Sequence, residues 1–449
     1  MAHPTHAANG PIIERMAAPV LRFVHTEASS GIVLLAATVV ALVWANSPWH
    51  DGYHHLFETE LTLGLGNAAF TRSLHYLITD GLMAVFFFLV GLEIKREVLA
   101  GELSSLQTAS LPVIAALGGM IVPASIYATL TWGTPELRGW GVPMATDIAF
   151  SLGVLALLGN RIPRGLKIFL AALAIADDIG AILVIALFYS EGVDWFRLGG
   201  AAALIVSAVL VNRMGVRSPV VYGAIGLALW VAVSGSGVHA TVAGVVLAMT
   251  IPVRTRINER EFLTEGNRAL RDFDDAATAT ADNPEVSLLS NVQHHVALQR
   301  MEELCERAQP PLIRMEHGLH GIVAFGIMPL FALANAGVSL SVGQLGTAMD
   351  SPATLAVFLG LLIGKPIGVF GFSWVATRIG LARLPLGVDW RMLGGAGALA
   401  GIGFTMSLFV GQLAFGAGPL LEASKIGIFA ASLCSGILGW TILRTARRA

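Results

Sequence analysis

Two adjacent carboxylates, Asp177 and Asp178, lie near the centre of a stretch, residues 168–189, in which every other residue is apolar or small. A run of that length and character reads as a membrane-spanning helix. An aspartate at mid-bilayer costs roughly 2.5–3.5 kcal/mol, so the pair costs about 5–7 kcal/mol before compensation. A bound cation or proton compensates most directly. The fold must therefore bury this helix where such a partner can reach it.

The rest of the chain agrees with a membrane setting. Hydrophobic residues make up 55%, charged residues only 13%, and mean hydropathy is +0.71. A soluble globular chain carries about 25% charge. Formal net charge is −2, so no global basic field suggests nucleic acid. Cys305 and Cys434 form neither a disulfide framework nor a metal-ligand spacing, and no cofactor is expected beyond transported ions.

Twelve apolar spans are expected: 30–47, 73–93, 108–132, 141–159, 167–189, 196–212, 217–234, 237–252, 317–338, 352–377, 392–415 and 420–443. The first reads as a retained helix and not a signal peptide, because it lacks a small-residue cleavage site. Basic residues cluster in alternate connections, among them Arg15 and Arg22, Lys95 and Arg96, Arg161, Arg164 and Lys167, Arg213 and Arg217, Arg254 and Arg256, Arg378, Arg383 and Arg391, and Arg444, Arg447 and Arg448. By the positive-inside rule both termini are cytoplasmic. The expected organisation is a cytoplasmic segment 1–29, a transmembrane domain 30–443 and a short tail 444–449.

Two segments are too polar to span. Residues 57–72 alternate with period two around Gly66-Asn67, which predicts a β-hairpin on the outer face. Its edge would pair with a second protomer or lie on its own subunit. Residues 255–310 predict a cytoplasmic loop, partly disordered, whose end at 293–308 could form an amphipathic helix.

Two spans carry breakers. Gly141 and Pro143 precede Thr146-Asp147, and the eleventh span runs through Gly394, Gly395, Gly397, Gly401 and Gly403 to Thr405 and Ser407. Close packing of small residues would account for the glycines alone. The adjacent polar residues favour a pair of interrupted helices, whose unwound backbone marks a central ion site in transporters.

Asp147, Asp177, Asp178 and Lys365 all fall deep inside spans, with Asp80 nearer the outer third of the second. Plain pairing with Lys365 and neutralisation of helix dipoles is one role for the acids. One lysine cannot balance three acids, however. Adjacent buried carboxylates cannot both ionise cheaply, so they titrate as a coupled unit and hold either protons or a small hard cation. Consecutive helical residues point about 100° apart, so both line one cavity only if the helix faces it broadly. Glu93, Lys95, Arg96 and Glu97 end the second span, while Arg314, Glu316, His317 and His320 open the ninth; these would be interfacial anchors or a pH-responsive cluster. His239 sits in an apolar context that suits a hydrogen-bonded core histidine.

Together these residues resemble the NhaA-type sodium/proton antiporter family. The likeness rests on Ala145-Thr146-Asp147-Ile148-Ala149-Phe150, on Ala174-Ile175-Ala176-Asp177-Asp178, on Gly401-Ile402-Gly403-Phe404-Thr405-Met406-Ser407, and on the stretches 81–97, 236–244, 329–339 and 362–366. The resemblance implies an all-α polytopic membrane protein of about twelve transmembrane helices with inverted repeats, a family trait, and crossed, unwound fourth and eleventh helices. It implies an electrogenic, pH-regulated exchange of sodium or lithium for protons in a bacterial inner membrane, and a homodimer built partly on the outer hairpin. Asp177 and Asp178 would bind the cation and exchange protons. Asp147 and Lys365, with Thr146, would offset half-helix dipoles, and Lys365 would pair with Asp177 in the protonated state. Glu93, Arg96, Glu97, Glu316 and His239 would set the pH response. Two departures stand out: Ile313 replaces a basic residue three positions before Glu316, and the 255–310 segment is longer than in the best-known members.

A sodium-coupled symporter of an organic anion would need a roomy substrate cavity. Intramembrane aspartyl proteolysis would need carboxylates facing each other from different helices. A passive channel would need no proton-titrating pair.

Overall fold

The computed structural model describes residues 29–65, 68–190, 192–255, 257–278, 292–338, 346 and 350–446. The expectations for Arg15, Arg22, Arg256, Arg447 and Arg448, and for the Gly66-Asn67 turn, fall outside these residues. The chain is an all-α polytopic membrane protein with one small β-hairpin. In order come α1 (Ser29–Ala45), α2 (His50–Glu58), β1 (Glu60–Leu65), β2 (Ala68–Ser73), α3 (Leu74–Ala100) and α4 (Leu106–Leu130). A 3-10 segment, Pro135–Met144, leads into α5 (Ile148–Leu157). There follow α6 (Arg164–Phe188), α7 (Trp195–Arg213), α8 (Pro219–Val233), α9 (Thr241–Thr250), α10 (Glu259–Thr278), α11 (Val292–Ala308) and α12 (Pro311–Asn335). The chain ends with α13 (Pro352–Arg378), α14 (Trp390–Ala400), α15 (Phe404–Phe415) and α16 (Pro419–Thr445).

Among the described residues, seven helices are long and apolar enough to cross a membrane, and up to ten spans result if each bent pair counts as one. The shorter apolar helices α8 and α9 occupy the two remaining expected stretches. Helix α9 is shorter than its expected 237–252 because Gly237 adopts a left-handed φ of +83° and turns the chain ahead of Thr241. The hairpin pairs antiparallel from Glu60↔Ser73 to Leu65↔Ala68.

Two helices add to what was expected. In the 255–310 segment the helix expected at 293–308 is present as α11, and α10 precedes it; the two pack on one another around Ile257, Ala269 and Leu304, with Arg300 facing Asp272 at 3.6 Å and Arg307 facing Glu261 at 3.7 Å. High charge had suggested disorder, but α10 keeps an apolar stripe that a partner helix can cover. Helix α2 was also unanticipated. It follows α1 at 114° and is tied down by Tyr53, whose hydroxyl donates to the Leu333 carbonyl at 2.7 Å.

The core around the site depends on close helix crossings. A Cβ at Gly118 on α4 would lie 2.3 Å from the Gly368 carbonyl oxygen on α13, and one at Gly368 would lie 2.1 Å from the Gly118 oxygen. The two backbones therefore touch, as small residues allow in membranes. At Gly119, next along, a Cβ would come within 3.0 Å of Val369 Cγ2 and into ordinary contact with the Lys365 methylenes. Gly118→Ala or Gly368→Ala is expected to destabilise the protein by about 1–3 kcal/mol through overpacking. Gly371→Ala, which meets nothing within 4 Å inside α13, should not lower the thermal midpoint in detergent, since Ala favours the helix over Gly.

Candidate ion-binding site at a crossing of two interrupted helices

Both glycine-marked spans are broken where the sequence suggests. The 3-10 segment and α5 meet at 42° across Ala145-Thr146-Asp147, and α14 and α15 meet at 44° across Gly401-Ile402-Gly403. Pro143 has no amide proton to continue a helix. At Gly401 a Cβ would lie 2.5 Å from the Leu361 carbonyl oxygen, so the second break needs glycine for close approach.

The breaks lie against each other, and each satisfies the backbone groups the other releases. Broken helix ends leave unpaired N–H and C=O groups that are costly away from water. The Asp147 amide donates to the Ile402 carbonyl at 2.7 Å. The hydroxyls of Thr146 and Ser151 donate to the carbonyls of Ala400 and Leu399, each at 2.9 Å, and Ser407 donates to the Val142 carbonyl at 2.9 Å.

Asp147 caps two helices at once. Its Oδ1 accepts from the Phe150 amide at the start of α5 at 3.1 Å. Its Oδ2 accepts from the amide of Thr405, near the start of α15, at 3.2 Å, and from the Thr405 hydroxyl. One negative charge thus meets the positive ends of two half-helices. The opposite charge lies nearby: Lys365 Nζ donates to the Met144 carbonyl, at the end of the 3-10 segment, and pairs with Asp177 Oδ2 at 2.6 Å. A π-helical turn, Gly360–Gly364, immediately precedes Lys365; such insertions are frequent at functional sites.

The adjacent aspartates divide between two neighbours. Asp177 turns to Lys365, while Asp178 lines a cavity of about 480 Å³ also bordered by Glu93, Thr146, Asp147, Lys167 and His320. Lys167 and Asp178 are eleven residues apart on α6, so the cavity reaches about 16 Å along that helix. Both aspartates, Asp147 and Lys365 are at most 1% exposed. Neither oxygen of Asp178 has a hydrogen-bond partner among the described residues. A buried acceptor in that condition favours a proton or a hard cation.

The remaining sequence candidates separate into two groups. At the α3–α12 contact, Arg96 bridges Glu316 at 2.6 Å and Glu97 at 3.0 Å, and Glu93 faces the cavity. Lys95 instead donates to the carbonyls of Met249 and Ile251 at the end of α9, and His317 is exposed. His239 stands apart from the aspartate pair. Its Nε2 is 3.4 Å from Asp80 Oδ1, its Nδ1 is 2.8 Å from Thr241 Oγ1, and its ring meets Phe409 edge-on. Sequence reasoning singled out Asp80 and His239 but not their pairing, which joins positions 159 apart in the chain. It also missed the carbonyl ligand of Lys365, for which backbone atoms carry no sequence signal.

An all-helical membrane protein with two mutually capped, interrupted helices beside buried acids belongs to the class of ion-coupled transporter folds. The sequence comparisons name the family. The Na+/H+ antiporter 1 family model matches residues 21–443. The chain is 50% identical over 430 residues to the Na(+)/H(+) antiporter NhaA 2 of Sorangium cellulosum, covering 96% of this chain and 90% of that protein. It is 48% identical over 442 residues to the Na(+)/H(+) antiporter NhaA of Koribacter versatilis, covering 98% and 94%. Similarity extends to the Na(+)/H(+) antiporter NhaA of Sulfurimonas denitrificans, 43% identical over 432 residues and covering 96% of both chains. The chain therefore belongs to the Na+/H+ antiporter 1 family.

Removing Lys365 alone should strand the Asp177 charge. Lys365→Met is expected to cost about 3–5 kcal/mol in thermal or chemical unfolding, the penalty for breaking a buried pair on one side. The double change Lys365→Met with Asp177→Asn should recover most of that loss.

Proposed function

We propose that the protein is an electrogenic, pH-regulated Na+(Li+)/H+ antiporter, a secondary active transporter that extrudes sodium in exchange for external protons. The observation that carries this reading is Asp178, whose carboxylate, without a hydrogen-bond partner among the described residues, borders the cavity beside the Asp177–Lys365 pair. With Asp178 protonated, the three groups together carry no charge. A sodium ion bound by both carboxylates would displace the Asp178 proton and draw Asp177 away from the ammonium, which can then release its own proton. One sodium ion would thus replace two protons, and the exchange would carry net charge. The Thr146 hydroxyl oxygen would supply a further ligand of the kind hard cations prefer. Asp147 and Lys365 hold the half-helix ends in place through the change.

The same reading puts the protein in a bacterial inner membrane with both termini cytoplasmic, as a homodimer joined partly through the β1–β2 edge. Glu93, Arg96, Glu97, Glu316 and His239 would shape its pH response. The Arg96–Glu316 bridge supports this, since it ties α3 to α12 and α12 lines the cavity through His320, Val323 and Met328.

In proteoliposomes with an acid interior, sodium and lithium are expected to dissipate ΔpH, and Asp178→Asn should abolish this. A wild-type protein that leaves the gradient intact from mildly acid to alkaline pH would refute antiport. Glu316→Gln is expected to shift the pH of half-maximal exchange while sparing the maximal rate; an unchanged profile would remove the Arg96–Glu316 bridge from the pH response.

A further inference from the structure

A second large cavity adjoins the first turns of α6, with Ile168 bordering both. It has a volume of about 710 Å³ and sits between the start of α4, the start of α6 and the connection from α13 to α14. Arg164, Arg383, Gln107 and Thr108 supply its polar lining. Leu111, Ile168, Phe169 and Leu386 supply an apolar wall.

Three independent features bear on its occupant. First, Arg164 and Arg383 are exposed and make no ion pair or hydrogen bond among the described residues, although they border the same groove. Glu102 also borders it. Two arginines against one acid leave a net positive rim. Second, Leu386 and Leu106 are 95% and 92% exposed, more than any other large hydrophobic side chain among the described residues. Leu386 lines the groove and Leu106 begins the helix that forms one wall. Third, the α13–α14 connection is held in place. Ala382 and Val388 anchor it in the core, while Arg383 and Leu386 between them remain exposed. Gly165 lets this connection lie on the start of α6, since a Cβ there would be 2.9 Å from the Leu386 carbonyl oxygen.

Unpaired cationic groups above an apolar slot, flanked by leucines bare to the surroundings, match an amphiphile with an anionic head and a hydrocarbon tail. Soluble phosphate would use the arginines and leave the apolar wall unexplained. We infer that this groove binds an anionic phospholipid, its phosphate held by Arg164 and Arg383 and one acyl chain lying against Leu111, Ile168 and Phe169. Basic pockets between transmembrane helices recognise anionic headgroups in this way. The bound lipid rests on the first turn of the helix that carries Asp177 and Asp178, and it ties that turn to the α13–α14 connection.

The test measures binding and not transport, so its result is independent of the proposed antiport. The full-length protein is reconstituted in phosphatidylcholine nanodiscs with increasing phosphatidylglycerol. Its thermal midpoint is followed, and retained lipids are counted by native mass spectrometry. Phosphatidylglycerol is expected to raise the midpoint by several degrees. The double variant R164Q/R383Q should lose at least half of that rise and one retained phosphatidylglycerol. Leu386→Ser should lose part of the rise, and Arg444→Gln, whose guanidinium stacks on Trp440, should lose none. Because Arg164 and Arg383 make no contacts that folding requires, R164Q/R383Q should match the wild-type midpoint in pure phosphatidylcholine. An equal rise in wild type and R164Q/R383Q, an equal loss in Arg444→Gln, or an equal rise with glycerol phosphate or inorganic phosphate would each overturn the proposal.

Discussion

The structure depends on the crossing of two helices that are each interrupted inside the apolar core. An interruption leaves amide and carbonyl groups without partners where water is scarce, at a cost of several kcal/mol per group. Here each break supplies the groups the other lacks. Asp147 caps the helices on both sides, Thr146, Ser151 and Ser407 satisfy released carbonyls, and Ile402 receives the Asp147 amide. Either break alone would be unstable. Together they form a polar centre whose geometry is fixed by the helices around it.

That centre organises the charges. Lys365 pairs with Asp177 and the Met144 carbonyl, so one carboxylate is neutralised within the protein. Asp178 is left facing the cavity. The division follows from helix geometry, since adjacent residues differ by about 100° in direction and cannot both face Lys365. A site with one settled and one unsettled carboxylate suits competition between a proton and a cation, because the cost of leaving Asp178 bare favours whichever is at hand.

The close contact at Gly118 and Gly368 serves the same centre. It brings α4 and α13 together one turn from Lys365, whose stem passes beside Gly119. Larger residues would push α13 outward and move the ammonium away from Asp177. Packing at the glycines and charge pairing at the site are therefore coupled, though the glycines touch no ion. The groove beside Arg164 meets α6 at its first turn and shares Ile168 with the ion cavity, so lipid and ion would act on one rigid element.

The sequence by itself determined the membrane class, the positions of the twelve apolar stretches and the two interrupted ones, because length, hydropathy and glycine or proline content are local properties. It also singled out Asp147, Asp177, Asp178 and Lys365, since a charge inside an apolar run is conspicuous wherever the run folds. In residues 255–310 it found the helix at 293–308 but not α10, whose high charge concealed the stripe that joins it to α11, and it gave no sign of α2. The pairing of Lys365 with Asp177 was already implied by the family resemblance; only the tertiary structure decided that Asp178 faces the cavity, that His239 meets Asp80, and that the two breaks cap each other. These facts depend on contacts between residues as far apart as Thr146 and Ala400, and on backbone carbonyls, which every residue carries and no sequence pattern distinguishes.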